Sequence, residues 1–191
     1  MNEELIQKAM QMFDTSDKWS AFIELINKNG EIQNRWWKKL QTEVYQREQT
    51  DGISDWDIAI WNNWDIMWYI KGETNKTIAV HFYGDMFRVF YNFGDLDTEK
   101  VNELLKNPKF DIIKTCFDRI DGTAWDTIGY EFKNFSFGTL YDTRFPDHRI
   151  LSWYAGNETK KFADQLIAKV RKFQTPEITA LFKEINEKCR K

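Results

Sequence analysis

Residues 56–93 read WDIAIWNNWDIMWYIKGETNKTIAVHFYGDMFRVFYNF, and along them side chains alternate with a period of two. That period belongs to antiparallel strands, in which successive side chains point to opposite faces. Loop lengths then register the stretch against itself, because directly paired residues share a face. A two-residue Gly84-Asp85 hairpin pairs Tyr83 with Met86, Phe82 with Phe87 and Val80 with Val89. A five-residue loop at 72–76 pairs Trp68 with Val80 and Ile66 with Phe82, and a three-residue loop at 62–64 pairs Ile58 with Trp68 and Ile60 with Ile66. A tighter turn at Asn62-Asn63 would move Asp57 onto the apolar face and is rejected.

This register predicts three uninterrupted apolar rows on one face. They are Trp56, Ile70, Ile78 and Tyr91; Ile58, Trp68, Val80 and Val89; and Ile60, Ile66, Phe82 and Phe87. Such a face is a core that helices must cover. The opposite face is mixed: Asp57, Tyr69, Ala79 and Phe90; Ala59, Met67, His81 and Arg88; Trp61, Asp65, Tyr83 and Met86.

Outward from this meander the period becomes helical. Leu5, Ile6, Ala9, Met10 and Phe13 mark a first helix, which Asp14-Thr15-Ser16 ends while capping the next. Trp19, Phe22, Ile23 and Ile26 mark a second, expected to stop at Asn29-Gly30. Ile32, Trp36, Leu40 and Val44 mark a third. Each amphipathic helix is expected to cover a surface. Beyond the meander, Asp97 caps a short helix, and Asn107-Pro108 starts another that Gly122 is expected to end. Strands are expected at 130–137 and 150–154, with an irregular segment at 139–149 between them. Two helices close the chain, one through Phe162, Leu166 and Val170, the other opened by Thr175-Pro176. The expected fold is therefore one α+β domain over 1–191. Its four-stranded antiparallel meander extends to five or six strands, with N- and C-terminal amphipathic helices on its apolar face.

Composition narrows function. Among 191 residues the net charge is -3, which gives no global drive toward nucleic acid or anionic membrane. The C-terminal stretch 157–191 carries nine bases against five acids, a mildly basic surface of the kind solvated helices often show. Two cysteines at apolar helical positions do not suggest a disulfide framework. The acidic, helical start does not resemble a signal peptide, and no apolar run is long enough to span a bilayer, so a cytoplasmic location is expected.

Familiar chemistries lack their parts. His81 and His148 are too few for a histidine metal cluster, and there is no Gly-rich phosphate loop, GxSxG or CxxC. Asp95, Asp97 and Glu99 imitate a calcium loop, but Lys100 and Lys106 stand where it needs Gly and Glu. No metal or cofactor is expected. Asp121 or Asp126, with Glu131 and Lys133, could form the carboxylate-lysine set of a metal-dependent nuclease or phosphodiesterase. The spacing is weakly specific, since acid-x-Lys recurs at Glu158, and an exposed strand edge explains Glu131 and Lys133 more simply. The turn from Arg144 to Arg149 could contact an anion but reads more simply as surface. The primary expectation is a non-enzymatic binding or regulatory protein. It would use Trp61, Asp65, Tyr69, His81, Tyr83 and Arg88 of the mixed face, or the segment 139–149, to hold another protein or a small ligand.

Overall fold

The computed structural model describes residues 3–62, 64–91, 94–132, 135, 137 and 148–191. Among them, α1 (Glu3–Met12), α2 (Ser16–Asn27) and α3 (Asn29–Asp51) precede the meander β1 (Trp56–Ile60), β2 (Asp65–Ile70), β3 (Ala79–Tyr83) and β4 (Met86–Phe90). Next come α4 (Thr98–Leu104), a 3-10 turn (Pro108–Asp111), α5 (Ile112–Thr115), β5 (Gly122–Ala124) and β6 (Thr127–Glu131). Three helices follow, α6 (His148–Asn157), α7 (Thr159–Arg171) and α8 (Pro176–Cys189). The strands form one antiparallel six-stranded sheet in the order β1-β2-β3-β4-β6-β5, so the fold is α+β as expected.

Every strand pair anticipated within the meander is present, from Ile58↔Trp68 and Trp68↔Val80 to His81↔Arg88 and Phe82↔Phe87. Ile78 and Tyr91 fall just outside the strands but are buried with the apolar face. Gly84 has φ +58°, as in a hairpin turn that asks for Gly at its first central position, and among the described residues no non-glycine residue has positive φ.

An aromatic layer glues the C-terminal helices to this face. Phe162 of α7 lies 5.9 Å from the Phe82 ring, 5.9 Å from Trp37 of α3 and 4.5 Å from Phe135. Phe173 lies 5.9 Å from Phe87 and 5.0 Å from Phe117. From α8, Phe182 packs 5.2 Å from Trp56, whose Nε1 donates to Thr179 Oγ1 at 2.9 Å. Rings at these separations gain edge-to-face attraction beyond area burial.

Several local expectations are corrected. Gly30 does not stop a helix. Lys28 alone interrupts, and since its amide still bonds Glu24 O while Ile32 N bonds Lys28 O, the chain re-enters α3 at once. Residues 150–154 are not a strand but lie in α6. Leu151, Tyr154 and Ala155 bury at helical spacing, and a Cβ at Gly156 would sit 2.1 Å from Trp36 Cδ1, so only glycine lets α3 approach. Gly122 opens β5 instead of ending a helix, where a Cβ would meet Tyr130 Oη at 2.4 Å. Strand β6 starts earlier than anticipated and ends at Glu131, with a bulge opposite Val89 and Phe90. The helix begun at Pro108 is a 3-10 turn followed by α5, burying Phe110 and Ile113. Finally, α1 and α2 bury no residue fully: Ile6, Ala9, Phe13 and Phe22 are half-buried, Phe13 stacks on Phe22 at 4.2 Å, and neither helix covers the sheet's apolar face with a buried side chain.

Trp68 is fully buried at the centre of the apolar face, whereas Lys71 is exposed in the following turn. In urea unfolding, Trp68→Ala is expected to cost about 3–5 kcal/mol, as large aromatic truncations in cores do, and Lys71→Ala less than about 0.5 kcal/mol.

Candidate functional site

The mixed face divides into a closed centre and an open end. Met67, Ala79 and His81 are essentially inaccessible, and Asp65 and Phe90 are also buried. Tyr69 and Arg88 are half-buried. Trp61 and Tyr83, in contrast, are 52% and 47% exposed. They belong to one cross-strand row with Asp65 and Met86 at the hairpin end of the sheet: Asp65 pairs with Tyr83, Tyr83 pairs with Met86, and Trp61 N–H donates to Asp65 O at 3.4 Å.

Behind this row lies a polar chain. Arg88 Nε donates to His81 Nδ1 at 3.0 Å, which makes Nδ1 an acceptor and places the imidazole proton on Nε2. That Nε2 stands 3.7 Å from Asp65 Oδ1, beyond hydrogen-bond reach but within electrostatic attraction. Asp65 Oδ2 accepts from Asn62 Nδ2 at 2.8 Å, and Gln41 of α3 donates to the carbonyls of Asn62 and Asp65, tying the β1–β2 loop to the helix layer. The Arg88 guanidinium sits 4.0 Å over the Phe90 ring and 5.9 Å from that of Tyr83. Burial is the largest influence on both bases. It lowers the His81 pKa below 6.5, outweighing Asp65, and lowers that of Arg88 against the pull of Asp126 and Asp65. Burial, then Asp57 and Tyr45, raises the Tyr69 phenol. A neutral imidazole that accepts from a half-buried guanidinium is a positioning device: it holds Arg88 across the Phe90 and Tyr83 rings.

The alternative set is placed differently. Glu131 pairs with Phe87, so it lies on the apolar face and is wholly buried, which corrects the exposed-edge reading. Its Oε1 accepts from Lys169 Nζ of α7 at 2.7 Å, and Lys169 and Lys172 also bind Asp118. Burial raises the Glu131 pKa against the opposing pull of Lys169. Asp121 Oδ2 accepts from Arg119 at 2.9 Å and from the Phe132 amide at 2.8 Å. Lys133 lies outside the described residues, as does 139–147; His148 and Arg149 begin α6. Thus Asp121 and Glu131 are each held by internal donors, and among the described residues no three His, Cys, Asp or Glu side chains gather to hold a metal. Asp97 caps α4 through the amides of Glu99 and Lys100, which accounts for its place in the calcium-like run.

Sequence reasoning did not single out a second concavity. A cleft of about 860 Å³ between α3 and the α6–α7 junction is lined by Arg35, Lys38, Lys39, Lys160 and Lys161, among others. These bases come from α3 and from the first turn of α7, far apart in the chain, so only the docking of α6 and α7 on α3 brings them together. Arg35 pairs with Glu31, Lys161 pairs with Glu158, and Lys39 donates to Gly156 O at 2.7 Å. No protein-family model, curated protein or solved structure matches the chain. No helix among the described residues is long and apolar enough to cross a membrane.

His81 gives the site a pH signature. Its folded pKa lies below the ordinary 6.5, so as pH falls past 6.5 the unfolded chain binds the proton first. Stability present above that pH is therefore lost on acidification. Asp65 from β2 opposes the loss and Arg88 from β4 reinforces it. Urea midpoints measured between pH 7 and 5 are expected to fall for the native chain and to flatten in His81→Gln, whose amide oxygen still offers Arg88 an acceptor.

Proposed function

We propose that this chain is a non-catalytic binding protein whose contact surface is the open end of the mixed sheet face, with another protein as its partner. The observation that carries the proposal is the joint exposure of Trp61 and Tyr83 in one row that also contains Asp65. Single exposed aromatics are ordinary on protein surfaces. Two large rings set in one row by sheet register, with the His81–Arg88 pair against Tyr83, resemble the aromatic anchors of interface cores. Met86, half-buried at the same end, adds an adaptable apolar contact. The buried centre of the face, with Met67, His81 and Phe90, supplies rigidity and does not itself touch a partner. The nuclease reading has no comparable support, because Asp121 and Glu131 are held by internal donors.

The proposal separates binding from stability. Trp61→Ala combined with Tyr83→Ala should lower unfolding free energy by no more than about 1 kcal/mol, since both rings are half exposed. The same pair of changes should abolish stoichiometric recovery of a protein partner that the native chain retains on affinity capture. Equal recovery by the native and doubly substituted chains would place the contact surface elsewhere.

A further inference from the structure

The cleft between α3 and the α6–α7 junction concentrates positive charge in a chain that is negative overall. Five of its lining residues, Arg35, Lys38, Lys39, Lys160 and Lys161, are bases and two, Glu43 and Glu158, are acids, a local surplus of three. Both acids are already engaged. Glu43 pairs at 2.7 Å with Arg47, which does not line the cleft, and Glu158 pairs with Lys161 at 2.9 Å. Lys38 and Lys160 are exposed, and among the described residues neither ammonium has a hydrogen bond or an ion pair. Lys39 gives one proton to Gly156 O at 2.7 Å, which leaves two of its three for a ligand. That bond, with the close approach of Trp36 to Gly156, fixes the cleft where α3 meets α6.

We infer that this cleft is a binding site for a compact small molecule carrying several phosphate groups. Charge points to a multivalent anion, because a monocarboxylate would offset only part of the surplus. Lysine ammoniums act as point charges that suit phosphate oxygens, and the one arginine, Arg35, is paired with Glu31. Size agrees, since about 860 Å³ lies within the roughly 300–1,000 Å³ of small-molecule sites. None of the lining residues is aromatic, so the cleft offers no platform on which a nucleobase could stack. Removing the surplus of three from the net charge of -3 leaves -6 on the rest of the chain, which repels an extended nucleic-acid backbone while the concavity attracts a small anion. The site shares no residue with the Trp61–Tyr83 row and does not depend on it.

Equilibrium dialysis of the full chain against inorganic tripolyphosphate at pH 7 tests the inference. The expected result is one-to-one binding with a dissociation constant below about 100 µM in about 50 mM salt, weakening as salt is added. Lys38→Glu with Lys160→Glu should raise that constant at least about tenfold and leave the thermal midpoint of the ligand-free chain unchanged, because both side chains are exposed. Lys71→Glu with Lys191→Glu makes the same change in net charge outside the cleft and should alter the constant by less than about twofold. A native chain that binds no tripolyphosphate at about 1 mM would overturn the inference. Binding that survives the cleft pair, or falls equally in the control pair, would also overturn it, because the attraction would then be diffuse. So would a short oligothymidylate that binds more tightly than tripolyphosphate and is lost with the cleft pair, since the cleft would then hold a nucleic-acid backbone.

Discussion

Cross-strand register in the meander is the constraint on which the rest depends. Trp68 pairs with Ile58 and Val80, Val80 with Val89, and Phe82 with both Ile66 and Phe87. Since side chains alternate, a slip of one residue in any strand would exchange its faces. Asp65, His81 and Arg88 would then be driven into the aromatic layer beneath α3 and α7, while Trp68 and Phe82 lost their packing against it. Burying such polar groups without their partners costs about 1–3 kcal/mol each, and several would move together, a large share of the net stability of most domains. The same register that builds the core therefore also assembles the row of Trp61, Asp65, Tyr83 and Met86.

The helical layer adds specificity to that hydrophobic frame. Phe162 and Phe173 set α7 over the sheet, and Lys169 on the same helix reaches Glu131, the one charge in the apolar rows of the described strands. A buried ion pair contributes little net stability because desolvation offsets its attraction. Its geometric demand is strict, however, since any rotation of α7 that separates Lys169 from Glu131 leaves a carboxylate uncompensated. The pair thus fixes how α7 sits on β6, and its inward direction removes Glu131 from the surface where a metal nuclease would need it.

What the sequence conveyed and what it withheld follow from how local each determinant is. The meander was legible because period and loop length are local, and the caps at Thr15, Asp97, Asn107 and Thr175 for the same reason. The segment Ile150 to Tyr154 misleads because its β-branched and aromatic residues favour a strand, whereas Trp36 of α3, packed against Gly156, decides for a helix. Gly122 and Gly129 resemble punctuation but serve close approach, to Tyr130 and Phe117 respectively. In the candidate site, face membership of Trp61, Asp65, Tyr69, His81, Tyr83 and Arg88 could be read from register. Their exposure could not, because burial of His81 and openness of Tyr83, two residues apart on one strand, depend on which neighbours overlie them. The basic cleft was hidden similarly, being a product of helix docking.

Division of the mixed face into a closed centre and an open row is the central claim, and hydroxyl-radical footprinting read by mass spectrometry tests it residue by residue. Methionine and the aromatic residues are both readily oxidised, so accessibility rather than intrinsic reactivity sets the order among Trp61, Tyr83 and Met67. The expected result is rapid oxidation of Trp61 and Tyr83 in the folded chain, with Met67, fully buried on the same face, protected until the protein unfolds. Oxidation of Met67 at a rate matching Trp61, or protection of Trp61 and Tyr83 in the free protein, would contradict it.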